Sequence, residues 1–546
     1  MKQLPVGVQN FITVRNKGYY FVDKSMLIGQ ILDQNTEEGV YLYTRPRRFG
    51  KSLNLSMLDA FFNIKYKGNT WFDGLEISKH PKYDCYKNAF PVIHIDFKNA
   101  VSYTMDGFLR RFNNLVLETY KEHLYLLESN VMTDDERDLY THLSKKNISQ
   151  EDLMDSLNIL SMLLERYHGA KTIVLIDEYD GVVNKIEDKN LRRDIIAFIG
   201  EVLSSLLKGN KSLLFGVVTG VMQIVKENIF SGVNNFSKNN IFDIDFDEMF
   251  GFTDDEVKQI CADYGHPEKF EEAKEWYDGY RFGNAEIYNP WSILNYVKND
   301  FKPDTYWVNT SGNQIVPELL ANADEELRDN LKILGSGGSI GRAVTAELTF
   351  DDLGDQDSIY SLMVISGYLK AVPGDEEYIL SIPNRELFKV FSQVVSRSVF
   401  GNESNSKNLR RFSNALISND TEAMKKSLED LFMENISSRI LKDENSYQTF
   451  IVAMLMCLFG NYEIKADFEN GRGFSDILMR KKKGIGPNVV IELKKSSDDN
   501  RLEHDAQAAI QQIKDREYAH GLEGRTILYG IAFSGKKPFI ISEEIQ

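Results

Sequence analysis

Tyr41-Leu42-Tyr43-Thr44-Arg45-Pro46-Arg47-Arg48-Phe49-Gly50-Lys51-Ser52 is the stretch on which the reading of the first half of the chain turns. An apolar-aromatic strand enters a turn with Pro46 and Gly50, and the apolar spacing from Leu53 to Phe62 then predicts a helix. Strand, loop and helix ending in Gly-Lys-Ser form a phosphate-binding loop, because backbone amides and a helix N-terminus face an anion. On this pattern Lys51 reaches the β- and γ-phosphates of ATP and the Ser52 hydroxyl holds Mg²⁺, while Phe49, Gly50 and Leu53 line the same cradle. The pattern's first glycine is replaced by Arg45. That replacement is expected to cost backbone freedom at positive φ and to return charge to the phosphates, together with Arg47 and Arg48.

A buried strand is expected again at Lys171-Thr172-Ile173-Val174-Leu175-Ile176-Asp177-Glu178. Runs apolar on both faces belong inside a parallel sheet, whose C-terminal strand ends face the ligand crevice. Asp177 would then hold Mg²⁺ and Glu178 would orient or deprotonate the attacking water. Leu213 to Gly220 supplies a further strand, in which Thr219 either senses the γ-phosphate or is a satisfied strand-end hydroxyl. Alternating strands and helices make this half an α/β domain. A long helical stretch is expected from Asp106 to about Tyr167.

With 546 residues the chain exceeds one core, and length alone suggests about three or four domains. Boundaries are read at 1–249 for the nucleotide domain, 250–435 for a helical lid or linker, and 436–546 for a C-terminal α/β domain. Arg281 is a candidate for closing on the nucleotide from the middle module. The formal charge of −17, from 81 acidic and 64 basic residues, argues against coating nucleic acid through a general positive field, and leaves room for a local basic groove. Three scattered cysteines support neither a disulfide framework nor a zinc site. No signal-peptide core and no run of roughly 18 apolar residues is present, so a cytoplasmic, membrane-free protein is expected.

The last hundred residues read as a β-meander, a helix from about Asp505 to Ala519 and a final strand at Thr526 to Phe533. Within them, Asp476 and Glu492-Leu493-Lys494 follow the form D…[DE]-x-K. Residues two apart on a strand share a face, so Glu492 and Lys494 point together, and Asp476 on the adjoining strand can lie opposite. Two carboxylates for Mg²⁺ or Mn²⁺ and an ammonium to orient water make a hydrolytic site for a phosphodiester. Arg480 to Lys483 is either a solvated hairpin tip or a contact for backbone phosphate.

Two resemblances follow from these motifs. Residues 45–52, together with Phe230-Ser231-Gly232-Val233-Asn234-Asn235, Trp276-Tyr277-Asp278-Gly279-Tyr280-Arg281-Phe282 and Tyr288-Asn289-Pro290-Trp291, resemble the AAA-ATPase-like family of bacterial P-loop NTPases. In that family the Arg-Pro-Arg-Arg-Phe-Gly-Lys-Ser loop is usual. Residues 471–478, 490–494, 508–513 and 531–536 resemble the PD-(D/E)xK nuclease superfamily, over about residues 440 to 546. That resemblance implies catalytic roles for Asp476, Glu492 and Lys494, makes Gln511 the glutamine carried by the following helix, and makes Glu444 an additional acid at the metal. The expected protein is an ATPase with a metal-dependent DNA nuclease domain gated by nucleotide state. Its alternative is a nucleotide-dependent switch whose C-terminal domain binds nucleic acid or protein without cutting. ATP and DNA are the expected partners, with self-association left open.

Overall fold

β-Branched and aromatic runs bounded by turns set the first sheet. The computed structural model describes residues 1–34, 39–186, 188–222, 236–307, 325–335, 337–348, 356–389, 405–435, 443–455, 458, 462–482 and 486–546. The residue 230–235 motif and Lys483 lie outside these. The described chain forms two units, Met1–Pro303 with Val344–Gly367, and Asp304–Ala343 with Tyr368–Gln546.

In the first unit, β1 (Gly39–Thr44), β2 (Val92–Asp96), β3 (Thr172–Asp177), β4 (Leu213–Gly220) and β5 (Phe236–Asn239) form a sheet of order β2-β3-β4-β1-β5. All its pairings are parallel. β1 and β3 are buried along their whole length, as a sheet covered on both faces requires. Val40, Leu42, Val174 and Ile176 pack with Phe108, Phe112, Leu157 and Phe198 from the helices Met105–Glu122, Gln150–His168 and Lys189–Leu207. Phe62, from the helix Lys51–Phe62, meets Phe215 with ring centroids 5.3 Å apart. The helical stretch expected from Asp106 to about Tyr167 is three helices, Met105–Glu122, Asp134–Leu143 and Gln150–His168, the second started by the Thr133–Glu136 capping box and the third capped by Ser149.

Residues 250–303, expected to open a separate module, belong to the first unit. The hairpin β6 (Tyr280–Phe282) and β7 (Ala285–Ile287) explains this, since Phe49 of the loop meets Tyr280 and Phe282 at 4.9 and 5.1 Å between centroids. Gly251 N also donates to Phe49 O at 3.1 Å.

The second unit holds a short antiparallel sheet, β8 (Ile340–Arg342), β9 (Lys370–Pro373) and β10 (Tyr378–Ser381), within the stretch expected to be helical. Its C-terminal sheet runs β11 (Tyr462–Asn470), β12 (Gly473–Lys481), β13 (Asn488–Lys495), β14 (Thr526–Ser534) and β15 (Lys537–Ile545) in that order. β13 and β14 are parallel, joined by the helix Leu502–Asp515, and the other pairs are antiparallel. β15 is an addition to the strands expected from sequence. Among the described residues no helix is long and apolar enough to cross a membrane.

Candidate functional sites

The loop leaves β1 at Thr44, and Arg45 N donates to Gly220 O at the end of β4. Arg45 is fully buried, and its guanidinium donates to Thr44 O, Asn239 O and Asn239 Oδ1 at 2.9, 3.1 and 2.6 Å. It also lies over the rings of Phe250 and Phe282, 5.0 and 5.2 Å from their centroids. Burial pushes its pKa down to about 10, which leaves it charged at neutral pH. The expectation that Arg45 reaches the phosphates is therefore corrected: the side chain is turned into the core to hold β1, β5 and the 250s together. The backbone premise is corrected too. Left-handed φ falls on Arg48 at 71° and on Gly50 at 88°, and Arg45 is not among the positive-φ residues. The Phe49 ring is likewise an anchor, committed to Tyr280 and Phe282.

Arg45→Ala would strand the Asn239 acceptors and open a cavity between two aromatic rings. A loss of stability on the order of 2–4 kcal/mol is expected in urea unfolding. Arg45→Lys should recover little of it, because an ammonium cannot reproduce the planar fork and stacking. Full stability of Arg45→Ala would overturn the structural role.

Lys51 begins the helix after Gly50, and its Nζ donates to Arg45 O and Pro46 O at 2.9 Å each. Burial pulls its ammonium below the ordinary lysine range, against the carboxylates of Asp180, Glu178 and Asp177. Ser52 and Leu53 are partly buried in the first helical turn, and Arg47 and Arg48 are partly buried on the loop. β4 lies between β1 and β3, which places Thr219 between the loop strand and Asp177. Of the two readings of Thr219 the structure supplies the satisfied hydroxyl, since its Oγ1 donates to Asp177 Oδ1. Glu178 N donates to the same oxygen at 3.0 Å, and Glu178 itself sits at φ 49°. Burial raises the Glu178 carboxyl, with Lys51 opposing.

Two acids at this edge carry more than their sequence position suggested. Asp96 pairs with Asp177 across β2 and β3, and its carboxyl is raised by burial. Asp180 is buried and accepts from Asn184 Nδ2, Val221 N and Met222 N at 2.9–3.0 Å, so it ties the β3 exit to the β4 exit. Arg281 is corrected: Tyr280 and Phe282 both meet Phe49, so strand alternation turns Arg281 to the other face, where its Nε donates to Gly283 O at 3.0 Å.

The second site lies where β12 and β13 part. Their ladder runs Met479–Val489, Leu478–Val490 and Ile477–Ile491, and the next opposed pair is Asp476 and Glu492. There Leu493 N donates at 2.6 Å to Asp476 Oδ2 instead of to backbone. Glu492 is 2% exposed; its Oε1 accepts from Lys494 Nζ at 3.0 Å and from Gln512 Nε2, while its Oε2 is buried with no hydrogen-bond partner. A buried carboxylate oxygen without a donor fits a cation ligand. Burial, then repulsion from Glu492, pushes the Asp476 carboxyl up to about 7. Burial likewise raises Glu492, with Lys494 opposing. Burial works against the Lys494 charge, and the surrounding carboxylates outweigh it, so its pKa rises.

Glu444 stands exposed at the start of the helix Glu444–Leu455, its Oε1 accepting from Lys495 N at 3.1 Å. Its charge acts on Asp476, Glu492 and Lys494. Among the described residues no group of three or more His, Cys, Asp or Glu side chains is gathered to hold a metal. The fit is thus to a two-carboxylate site completed by water and substrate phosphate, which suits Mg²⁺. Gln511 is corrected to Gln512, because the Gln511 amide is exposed and donates to Asp515 at 2.7 Å. Gln448 is a further missed neighbour, donating to Asp476 O at 2.9 Å.

If this site cleaves a phosphodiester as its sequence pattern leads one to expect, Gln512→Ala should lower metal-dependent cleavage by roughly 10–100-fold, the usual cost of losing a group that orients a ligand. Gln511→Ala should leave it within about twofold on the same grounds. Equal effects would reject the assignment. A second expectation concerns pH. The Asp476 folded value of about 7 exceeds the unfolded value of about 3.9, so the folded state binds the extra proton. In chelator, this group's contribution is greatest below pH ~4 and is lost as pH rises through ~7. Asp476→Asn should remove that slope and stabilise the metal-free protein at pH 8 by on the order of 1–3 kcal/mol. Parallel stability curves for the two proteins from pH 5 to 8 would refute it.

Residues 5–230 match the model of the AAA-ATPase-like family, described as predicted AAA-ATPase. Residues 442–543 match the PD-(D/E)XK nuclease superfamily. A protein of Azotobacter chroococcum mcd 1, described as an uncharacterized protein in the vnfD 5' region, is 26% identical over 398 residues, covering 71% of this chain and 68% of the relative.

Proposed function

We propose that this chain, which carries an AAA-ATPase-like domain and a PD-(D/E)XK nuclease superfamily domain, hydrolyses ATP at its loop and cleaves DNA at its C-terminal carboxylates under the control of nucleotide state. The observation that carries the nuclease reading is Glu492: buried, held by Lys494 and Gln512, and with one oxygen left without a donor. Asp476 and Glu492 would hold Mg²⁺, which supplies a nucleophile at neutral pH and charge for the phosphorane. Lys494 is held beside Glu492 as a cation and would face the developing negative charge. Leu493 N fixes the Asp476 carboxyl, and Gln512 fixes that of Glu492.

At the loop, Ser52 and Asp177 would hold Mg²⁺, Lys51 would leave the loop carbonyls for the phosphates, and Glu178 would take the water's proton. Thr219 keeps Asp177 oriented. The test is incubation of the purified protein with Mg²⁺ or Mn²⁺, with and without ATP, on single-stranded, duplex and branched DNA. Multiple-turnover cleavage that responds to ATP is expected. Intact DNA under every condition would remove the nuclease assignment.

The second reading is a nucleotide-dependent switch that binds without cutting. It draws on the Lys51 ammonium being bound to the loop's own carbonyls, so that nucleotide must displace it before seating. A nucleotide-dependent change in assembly with no loss of DNA favours it.

A further inference from the structure

Arg48 is the loop residue whose backbone and side chain are both held in an unusual setting. Its backbone is left-handed, at φ 71°, a conformation that non-glycine residues hold only when their surroundings impose it. Its guanidinium lies over the Trp291 ring, 4.2 Å from the centroid. The Trp291 backbone is fixed in turn, because the buried Asn289 side chain accepts from Trp291 N at 2.9 Å and Ser292 N at 3.3 Å at the start of the helix Pro290–Lys298. Burial lowers the Arg48 pKa and the Glu178 carboxylate opposes this, so the guanidinium is also within electrostatic reach of the water-orienting acid.

We infer that Arg48 is a γ-phosphate-sensing residue that rests on Trp291 in the nucleotide-free protein and leaves the indole for the terminal phosphate of a nucleoside triphosphate, with Trp291 as its positioning residue. The inference rests on the nucleotide reading of the loop. The exchange is favourable in one direction only. A cation over an indole at a partly exposed site is a weak contact, whereas a planar guanidinium facing phosphate oxygens makes paired charge-assisted hydrogen bonds. A diphosphate lacks the terminal group and leaves Arg48 where it is. The residue that feels the exchange, Trp291, opens a helix some 240 residues along the chain from the loop, which gives nucleotide state a route into residues 290–298 within the same unit.

The chain has four tryptophans, so intrinsic emission can follow Trp291 once its share is assigned by substitution. With Mg²⁺, a non-hydrolysable ATP analogue should change the emission of the wild type and ADP should not. Trp291→Phe should abolish the change. Arg48→Gly suits the left-handed backbone and so removes the side chain without strain. It should abolish the optical change and weaken the triphosphate by about tenfold or more, with ADP weakened less than about threefold, as loss of a contact confined to the γ-phosphate requires. Arg48→Asn, also tolerant of that backbone, should behave alike. An unchanged ratio of triphosphate to diphosphate affinity in Arg48→Gly, or an undiminished optical change in Trp291→Phe, overturns the inference while leaving the nucleotide site standing. A wild type that binds neither nucleotide overturns both.

Discussion

On the proposed nuclease reading, Glu492→Gln should reduce metal-dependent DNA cleavage by on the order of 10³-fold or more, because it removes one of the two carboxylates proposed to hold a divalent ion. The substitution is close to isosteric. A glutamine carbonyl can still accept from Lys494 Nζ and Gln512 Nε2, the two groups that hold Glu492 Oε1, so the side chain keeps its place and loses its charge. The direction of the stability change separates this from misfolding. Burial already raises the Glu492 carboxyl, and its charge is the second cause, after burial, of the raised Asp476 value. Removing it relieves a repulsion between two desolvated carboxylates, so the metal-free variant should melt no lower than the wild type. A variant that is folded, equally stable and dead is the expected result. Cleavage within about tenfold of wild type would place the bond-breaking elsewhere, since loss of a first carboxylate ligand cannot be so mild.

The sequence made the two sheets readable where an apolar run is long and bounded. β1, β3, β4 and β13 are such runs, and each ends at the residues that face a site. The short β8, β9 and β10, of three or four residues each, carry no periodicity long enough to separate them from loops. Arg45 was unreadable for a different reason. Its partners Asn239, Phe250 and Phe282 lie about two hundred residues away, so the local pattern offered only phosphate as the use for a loop arginine. The exchange of Gln511 for Gln512 had a signal that a motif match passes over. Ala506, Ala509, Ile510 and Ile513 form the buried stripe of their helix. At 100° per residue, Gln512 lies about 110° from the stripe's centre and Gln511 about 150°, so Gln512 is the one beside the sheet. The roles of Asp180 and Trp291 depend on which strand ends and helix starts the fold brings together, and no spacing in the chain encodes that.

If the proposed nucleotide site is right, Lys51→Met should weaken ATP·Mg²⁺ binding and lower ATP hydrolysis by at least about 10²-fold, since it deletes the cation proposed to meet the β- and γ-phosphates. Whether the loop survives the change depends on two opposed effects. The ammonium is hydrogen-bonded to Arg45 O and Pro46 O and attracted by Asp180, Glu178 and Asp177, which argues for lost stability. Its burial lowers its pKa in spite of those carboxylates, so desolvation outweighs them and the charge is held at a net cost. Methionine keeps the apolar stem and discards that cost, while the carbonyls of Arg45 and Pro46 lose one donor. Stability is therefore expected within about 1 kcal/mol of wild type, less than the loss expected for Arg45→Ala six residues earlier. Calorimetric titration with ATP·Mg²⁺ reads the first effect and urea unfolding the second; wild-type affinity in Lys51→Met would sink the nucleotide site. The same variant also separates the two proposed activities. Its Asp476, Glu492 and Lys494 are untouched, so cleavage that persists without ATP dependence makes the nuclease autonomous, while cleavage lost along with nucleotide binding makes the loop its control.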